Sequence, residues 1–118
     1  MTALGAFCNQ LVSFLEDLAE TYPEEHDISK AAQTLKLAKQ ANPRLVHRMF
    51  MENVYTESAQ YILNEDEEYL IMKAREKTKG QFDYAYWIFD KHWSAMSETN
   101  KQHVWRYMKS LILLAGRV

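Results

Sequence analysis

Apolar residues recur at helical spacing along most of the chain. Near the N-terminus they follow intervals of three and four residues, which places them on a single stripe of a helix. The members of this stripe are Leu4, Phe7, Leu11, Phe14, Leu15 and Leu18. Pro23 cannot continue the hydrogen-bonded ladder of a helix, so we expect the first helix to end near Thr21.

A second apolar stripe follows after a short polar interval. Its members are Ile28, Ala31, Ala32, Leu35 and Ala38. Asp27 or Ser29 is expected to cap this helix, because either side chain has an oxygen that accepts from backbone N–H groups of the first turn. The lysines of this segment fall on its solvent-facing side and are Lys30, Lys36 and Lys39. The pattern predicts a second amphipathic helix.

Asn42-Pro43 is the clearest boundary in the chain. Asparagine is a good N-cap, and proline at the first helical position has a preset φ and lacks only an N–H that would be unpaired there. A third helix is therefore predicted from Pro43 to about Val54. Its apolar members are Leu45, Val46, Met49, Phe50 and Val54.

Two further helices are predicted between Val54 and Gly80. Thr56 can cap a short helix that carries Ala59, Ile62 and Leu63. Asn64 with Glu67 three residues later resembles a capping box for the next one. That segment begins with Glu65–Glu68 and ends with basic residues, an order that complements the helix dipole, and Gly80 is expected to stop it.

The last two predicted helices are rich in aromatic residues. One runs from about Phe82 to Ala95, and the other is capped by Ser97 and stopped by Gly116.

Period-two alternation, the signature of strands, nowhere persists for five residues. The predicted fold is therefore all-α, a compact bundle of five to seven short antiparallel helices with short connections. A length of 118 residues is that of a single domain, so residues 1–118 are assigned to one helical domain.

Charge and cysteine content narrow the function classes. Fourteen basic against sixteen acidic side chains give a net charge of −2, so the overall charge offers no argument for nucleic-acid binding. Cys8 is the only cysteine, which excludes an intramolecular disulfide and favours a buried, inert thiol. The longest aliphatic run, Leu111–Ala115, is far shorter than the ~20 residues that span a bilayer. Because the N-terminus also lacks the pattern of a signal peptide, we expect an intracellular protein without a membrane span.

Motifs for catalysis and metal binding are missing from the sequence. The four histidines, His26, His47, His92 and His103, do not form a His-Glu-x-x-His pair, although His92 and His103 lie on neighbouring predicted helices that can converge. The acidic run Glu65–Glu68 lacks the alternating ligands and central glycine of a calcium loop. No serine stands in a Gly-x-Ser-x-Gly elbow. We therefore expect no enzymatic activity, no metal and no cofactor.

The concentration of aromatic residues near the C-terminus is the most unusual feature. Tyr84, Tyr86, Trp87, Phe89 and Trp93 fall within ten residues and cannot all share one helical face. Either this helix is central to the bundle, or its second face meets a partner. Tyr and Trp are favoured at interfaces, and the residues predicted to bind a protein partner are Tyr84, Tyr86, Trp87, Trp93, Trp105 and Tyr107.

An alternative partner is nucleic acid. From residue 101 onward the chain carries basic side chains and no acid, and these candidate phosphate contacts are Lys101, Arg106, Lys109 and Arg117. Cations near a helix C-terminus are also what the helix dipole favours. Phosphate binding normally needs a denser basic patch, so nucleic acid ranks below a protein as the expected partner.

Several stretches spread from residue 14 to residue 107 carry a likeness to known proteins. They are Phe14-Leu15-Glu16-x-Leu18 with Pro23, Asn42-Pro43-Arg44 with Phe50, Tyr61-Ile62-Leu63-Asn64 with Asp66-Glu67, Trp93-x-x-Met96-Ser97, and Asn100-Lys101-x-x-x-Trp105-x-Tyr107. In these the chain resembles small all-helical proteins encoded by large nucleocytoplasmic DNA viruses of algae and protists. The resemblance implies a virion-associated, non-catalytic minor structural protein, capsid or internal. Its partners would be other virion proteins or further copies of this chain, in the host cytoplasm or nucleus or in the virion.

Overall fold

Helices make up nearly all of the described chain. The computed structural model describes residues 2–77 and 84–118, and of Tyr84 and Ala85 the backbone only. The α-helices are α1 (Ala3–Thr21), α2 (His26–Ala41), α3 (Pro43–Phe50), α4 (Thr56–Leu63), α5 (Glu67–Glu76), α6 (Tyr84–Lys91) and α7 (Glu98–Ala115). A π-helical turn (Met51–Tyr55) follows α3 and a 3₁₀ turn (Trp93–Ala95) follows α6. Within these residues there is no strand, so the predicted all-α fold is confirmed.

Helix α1 lies at the centre and packs against α2, α3 and α7. The predicted stripe is the buried face from Phe7 to Leu18, and Leu4 packs half-buried against it. The helix runs antiparallel to α2, since Lys36 reaches Glu16 at 3.2 Å whereas Lys39 reaches Asn9. Its N-terminus is capped by Thr2, which was not predicted, and whose hydroxyl accepts from the backbone N–H of Gly5 at 3.0 Å.

Helices α3 and α4 form one continuous rod through the π-helical turn. Asn42 caps its start as predicted, and its side chain accepts from the backbone N–H of Leu45. Thr56 was predicted to cap a new helix, and this is wrong: its backbone is itself helical (φ −57°, ψ −40°). Its hydroxyl donates instead to the Met51 carbonyl at 2.7 Å. With the rod counted once, the described residues form six helices.

The predicted starts of two other helices are corrected. Asp66 rather than Asn64 caps α5, and its carboxylate accepts from the backbone N–H of Tyr69 at 3.1 Å. The chain turns there because Glu65 adopts a left-handed conformation, with φ of 53°. Helix α2 begins without a side-chain cap, so neither Asp27 nor Ser29 has the predicted role.

The predicted sixth helix ends earlier than expected. Its α-helical part ends at Lys91, and Trp93–Ala95 forms a separate 3₁₀ turn. Helix α5 ends at Glu76, ahead of the predicted stop at Gly80. Gly80 and the predicted start at Phe82 lie outside the described residues.

Helix α7 closes the bundle and has both predicted boundaries. The Ser97 hydroxyl accepts from the backbone N–H of Asn100, and Gly116 follows the last helical residue. Tyr107 donates to the Asp17 carboxylate near the end of α1. At the opposite end, Nε2 of His47 donates to the Ala115 carbonyl at 2.9 Å, which joins α3 to the end of α7. Across residues 2–77 and 84–118, no helix combines the length and apolar character needed to cross a membrane.

Candidate binding cleft

An apolar cleft of about 390 Å³ that can receive a ligand lies between α1, α2 and α3. One wall is formed by α2 and the other by α3, and side chains of α1 contribute to the lining between them. The residues that line it are Leu11, Phe14, Leu15, Lys30, Ala31, Thr34, Leu35, Ala38, Leu45, Val46, Met49, Phe50, Val54, Ile62, Met108 and Leu111. The cleft therefore reaches from the surface into the buried core.

Local sequence explains why the cleft exists. Helices α2 and α3 are joined by Asn42 alone, so the two walls are adjacent in the chain and meet at one corner. On α2 the cleft is faced by the small side chains of Ala31 and Ala38, one on either side of Leu35. Small side chains in this wall leave space that larger ones would fill. The sequence pattern had marked these residues as core positions only.

The cleft also meets the π-helical turn, through Val54. The turn is held by side chains as well as by backbone: Asn53 donates its amide to the Met49 carbonyl at 2.8 Å, and Thr56 donates to that of Met51. π-Helical turns within α-helices occur frequently at functional sites. Here the irregular turn and the cleft share one stretch of chain.

Polar groups at the cleft are few. Lys30 and Thr34 are the two lining residues with polar side chains, and both are exposed on α2. Among the described residues, no acidic side chain lines the cleft. Lys30 forms no salt bridge with a described residue, whereas Lys36 on the same helix pairs with Glu16. The site is therefore an apolar cleft with a single cation at its edge.

A second polar cluster lies where α4, α5 and α6 meet. The hydroxyls of Ser58 and Tyr86 are 2.7 Å apart, and both side chains are buried. Burial raises the pKa of Tyr86 to about 12, partly offset by the bond to Ser58. A phenol with such a pKa stays protonated at neutral pH and is closed off from solvent, so it cannot serve there as a general base. This cluster joins helices, and the sequence offered no signal of it.

Charged side chains surround that cluster. The Glu57 carboxylate lies 3.3 Å from Nζ of both Lys73 and Lys77. Burial acts to raise the pKa of Glu57, but hydrogen bonds from the two lysines outweigh it and lower that pKa. Lys77 also lies over the ring of Tyr86, with Nζ 5.2 Å from the ring centroid. These contacts tie α4 to the end of α5.

Three of the aromatic residues predicted to bind a partner belong to the core. Tyr86, Trp93 and Trp105 are each exposed by 5% or less. Phe89 packs against Trp93 and Trp105, whose ring centroids are 5.2 Å apart. Their prediction as a partner surface is therefore corrected: they belong to the buried core, in line with the alternative to a partner surface that the sequence left open.

Two of the remaining predicted aromatic residues, Trp87 and Tyr107, are half-buried. Trp87 is half-buried against Tyr22 and His92, with ring centroids 5.8 and 4.6 Å away. Tyr107 is half-buried against Phe14, and its hydroxyl bonds to Asp17. The side chain of Tyr84 lies outside the described residues. The structure thus does not gather these six residues into one exposed aromatic surface.

The four predicted phosphate contacts are likewise not gathered. Lys109 pairs with Glu65. Lys101 lies over the Trp93 ring at 5.3 Å from the centroid and 3.9 Å from Glu98. Arg106 and Arg117 are exposed. Two of the four cations therefore already have acidic partners.

The histidine and cysteine candidates lie in different surroundings. His92 stacks on Tyr22 with 4.0 Å between centroids, and its Nε2 lies 3.3 Å from Glu25, whereas His103 is exposed. In the described parts of the chain, no three His, Cys, Asp or Glu side chains form a group that could hold a metal ion. Cys8 is buried, as expected, and burial raises the pKa of its thiol.

Comparisons with known proteins add no relative. No protein-family model, no curated protein and no solved structure matches this chain. Function must therefore be argued from the cleft itself.

Proposed function

We propose that this protein is a non-catalytic binding module whose site is the cleft between α1, α2 and α3. The observation that carries the proposal is the size and lining of the cleft: about 390 Å³, apolar except for Lys30 and Thr34, and open to the surface. Binding sites for small ligands typically occupy about 300–1,000 Å³ and are mainly apolar with a few polar groups.

The physical basis of binding would be the burial of apolar surface. An apolar group that enters between Leu35 and Met49 leaves water and contacts the side chains of Leu11 and Leu15 below. Each Å² of apolar surface removed from water contributes about 25 cal/mol. No bond in the ligand needs to be made or broken, and the buried Tyr86–Ser58 pair takes no part.

Filling the cleft tests the proposal. Nile red, an uncharged apolar dye, is titrated against the protein and against Ala38→Phe, which places a ring in the cleft. Ala41→Phe is the matched control, since Ala41 is an exposed residue of the same helix that does not line the cleft. We expect the dye to bind the wild type and the control and to lose affinity for Ala38→Phe.

A second variant distinguishes a blocked cleft from a misfolded protein as the cause of lost dye binding. Thr34→Trp blocks the cleft from an exposed position, where a large side chain does not disturb the core. Far-UV circular dichroism establishes that each variant is folded. Equal dye affinity in the wild type, Ala38→Phe and Thr34→Trp would contradict the proposal, as would a wild type that does not bind the dye.

A second candidate function is association with another protein, as the sequence predicted. Leu37 on α2 is 68% exposed, which leaves its apolar side chain accessible to an apolar partner surface. A role as a minor structural protein of a virus particle would take this form, and it rests on the resemblance. Sedimentation of the wild type and Leu37→Ser over a range of concentrations tests self-association. An assembly that Leu37→Ser dissociates would support it.

A further inference from the structure

We infer that the cleft takes an amphiphile with a single hydrocarbon chain and an anionic head group, with the head group at Lys30. This inference rests on the proposed binding function and specifies its ligand class. The chain would lie between α2 and α3, and the head group would stay at the surface where Lys30 and Thr34 stand.

The charge pattern at the cleft favours an anion. Lys30 is the one charged side chain among the lining residues, and it forms no salt bridge with a described residue. The other lysines on this helix are engaged elsewhere, Lys36 with Glu16 at 3.2 Å and Lys39 with the Asn9 side chain at 2.9 Å. The cation at the cleft is therefore available to a ligand, and no lining acid competes for it.

The spacing on α2 supplies a second group for the head. Thr34 lies four residues after Lys30, so the two side chains are neighbours on one face of the helix. An ammonium and a hydroxyl both donate hydrogen bonds, and a carboxylate accepts several. The aliphatic stem of Lys30 can follow the apolar rim while its ammonium remains in water. Lys30 and Thr34 can therefore donate hydrogen bonds to an anionic oxygen group that is attached to a hydrocarbon chain.

The lining suits a hydrocarbon chain. Apart from Lys30 and Thr34, the residues that the structure places around the cleft have apolar side chains. A single flexible chain can lie along this apolar lining and remove its own apolar surface from water.

Competition against Nile red tests the ligand class with three twelve-carbon probes, the two charged ones below their micelle concentrations and the uncharged one below its solubility limit. The probes are dodecanoate, dodecan-1-ol and dodecylammonium. We expect dodecanoate to displace the dye at about fivefold lower concentration than the alcohol, the ratio that an ion pair of about 1 kcal/mol produces. Dodecylammonium should compete most weakly, because its charge is that of Lys30.

Lys30→Gln should abolish the preference for dodecanoate over dodecan-1-ol. Lys36→Gln is the matched control, because Lys36 lies on the same helix but does not line the cleft, and it should retain the preference. Equal binding of the three probes to the wild type would overturn the anionic head group and leave the binding function intact. Dye binding without displacement by any probe would overturn the single-chain ligand. Failure of the dye itself to bind would overturn the proposed function.

Discussion

The Tyr86 hydroxyl lies 2.7 Å from Oγ of Ser58, and both side chains are closed off from solvent. This contact links α6 to α4, which are separated by α5 in the chain. The same Tyr86 hydroxyl also lies 3.4 Å from the Asn53 carbonyl in the π-helical turn. A buried polar group that loses its partner keeps the cost of its desolvation, so this contact has a measurable effect on stability.

Removing the Tyr86 hydroxyl should destabilise the protein. Tyr86→Phe leaves the Ser58 hydroxyl buried without this partner, and we expect a loss of about 1–3 kcal/mol in the free energy of unfolding. Ser58→Ala should have a similar effect, and the double variant should lose less than the sum because neither polar group remains. Urea denaturation measures all three. Additive losses would show that the two hydroxyls do not depend on each other.

Two tryptophans should differ in their contribution to stability. Trp93 is 1% exposed and packs against Phe89 and Trp105, so Trp93→Ala should cost about 3–5 kcal/mol. Trp87 is half-buried, and Trp87→Ala should cost about 1–2 kcal/mol and leave the domain folded. Urea unfolding monitored by far-UV circular dichroism compares the two. A larger loss for Trp87→Ala would place that residue, rather than Trp93, at the centre of the core.

The tyrosine pKa values predict loss of stability at high pH. Burial and the bond to the Asp17 carboxylate raise the pKa of Tyr107 to about 12 from 10.0. Between these two pH values the unfolded chain releases the proton while the folded chain retains it, so stability falls as pH rises. The midpoint of urea denaturation is measured for the wild type and for Tyr107→Phe from pH 8 to pH 12. Lysine titration affects both proteins, so the difference between the two curves reports the effect of Tyr107. We expect a shallower decline in Tyr107→Phe, and parallel curves would contradict the assignment.

The N-cap of α5 can be identified by substitution. Because Asp66 accepts from the backbone N–H of Tyr69, Asp66→Ala should cost about 1 kcal/mol of stability. Asn64 has no such bond, and Asn64→Ala is the matched control with a smaller expected effect. Thermal unfolding of the two variants at neutral pH makes the comparison. A greater loss in Asn64→Ala would favour the capping box predicted from sequence.

Helix periodicity made the fold predictable, whereas caps were predictable only in part. Asn42 and Ser97 cap as expected because each precedes an unambiguous start, a proline in one case and a long apolar stripe in the other. Thr56 and Asn64 both have a side chain that can cap a helix. An N-cap must also have a non-helical backbone and must stand directly before the first residue of the helix. Thr56 lies within a continuous rod, and Asp66 takes the role expected of Asn64.

The sequence alone determined the helices and most of the buried stripes, since each depends on the spacing of residues close in the chain. Tertiary structure decided which aromatic residues are buried, since α6 could be central or peripheral until its neighbours α5 and α7 were in place. The tertiary structure also determined whether a cleft forms, because the space between Ala38 and Met49 depends on how α2 and α3 meet at Asn42 and pack on α1. Packing between helices joins residues distant in sequence, and no local pattern records it.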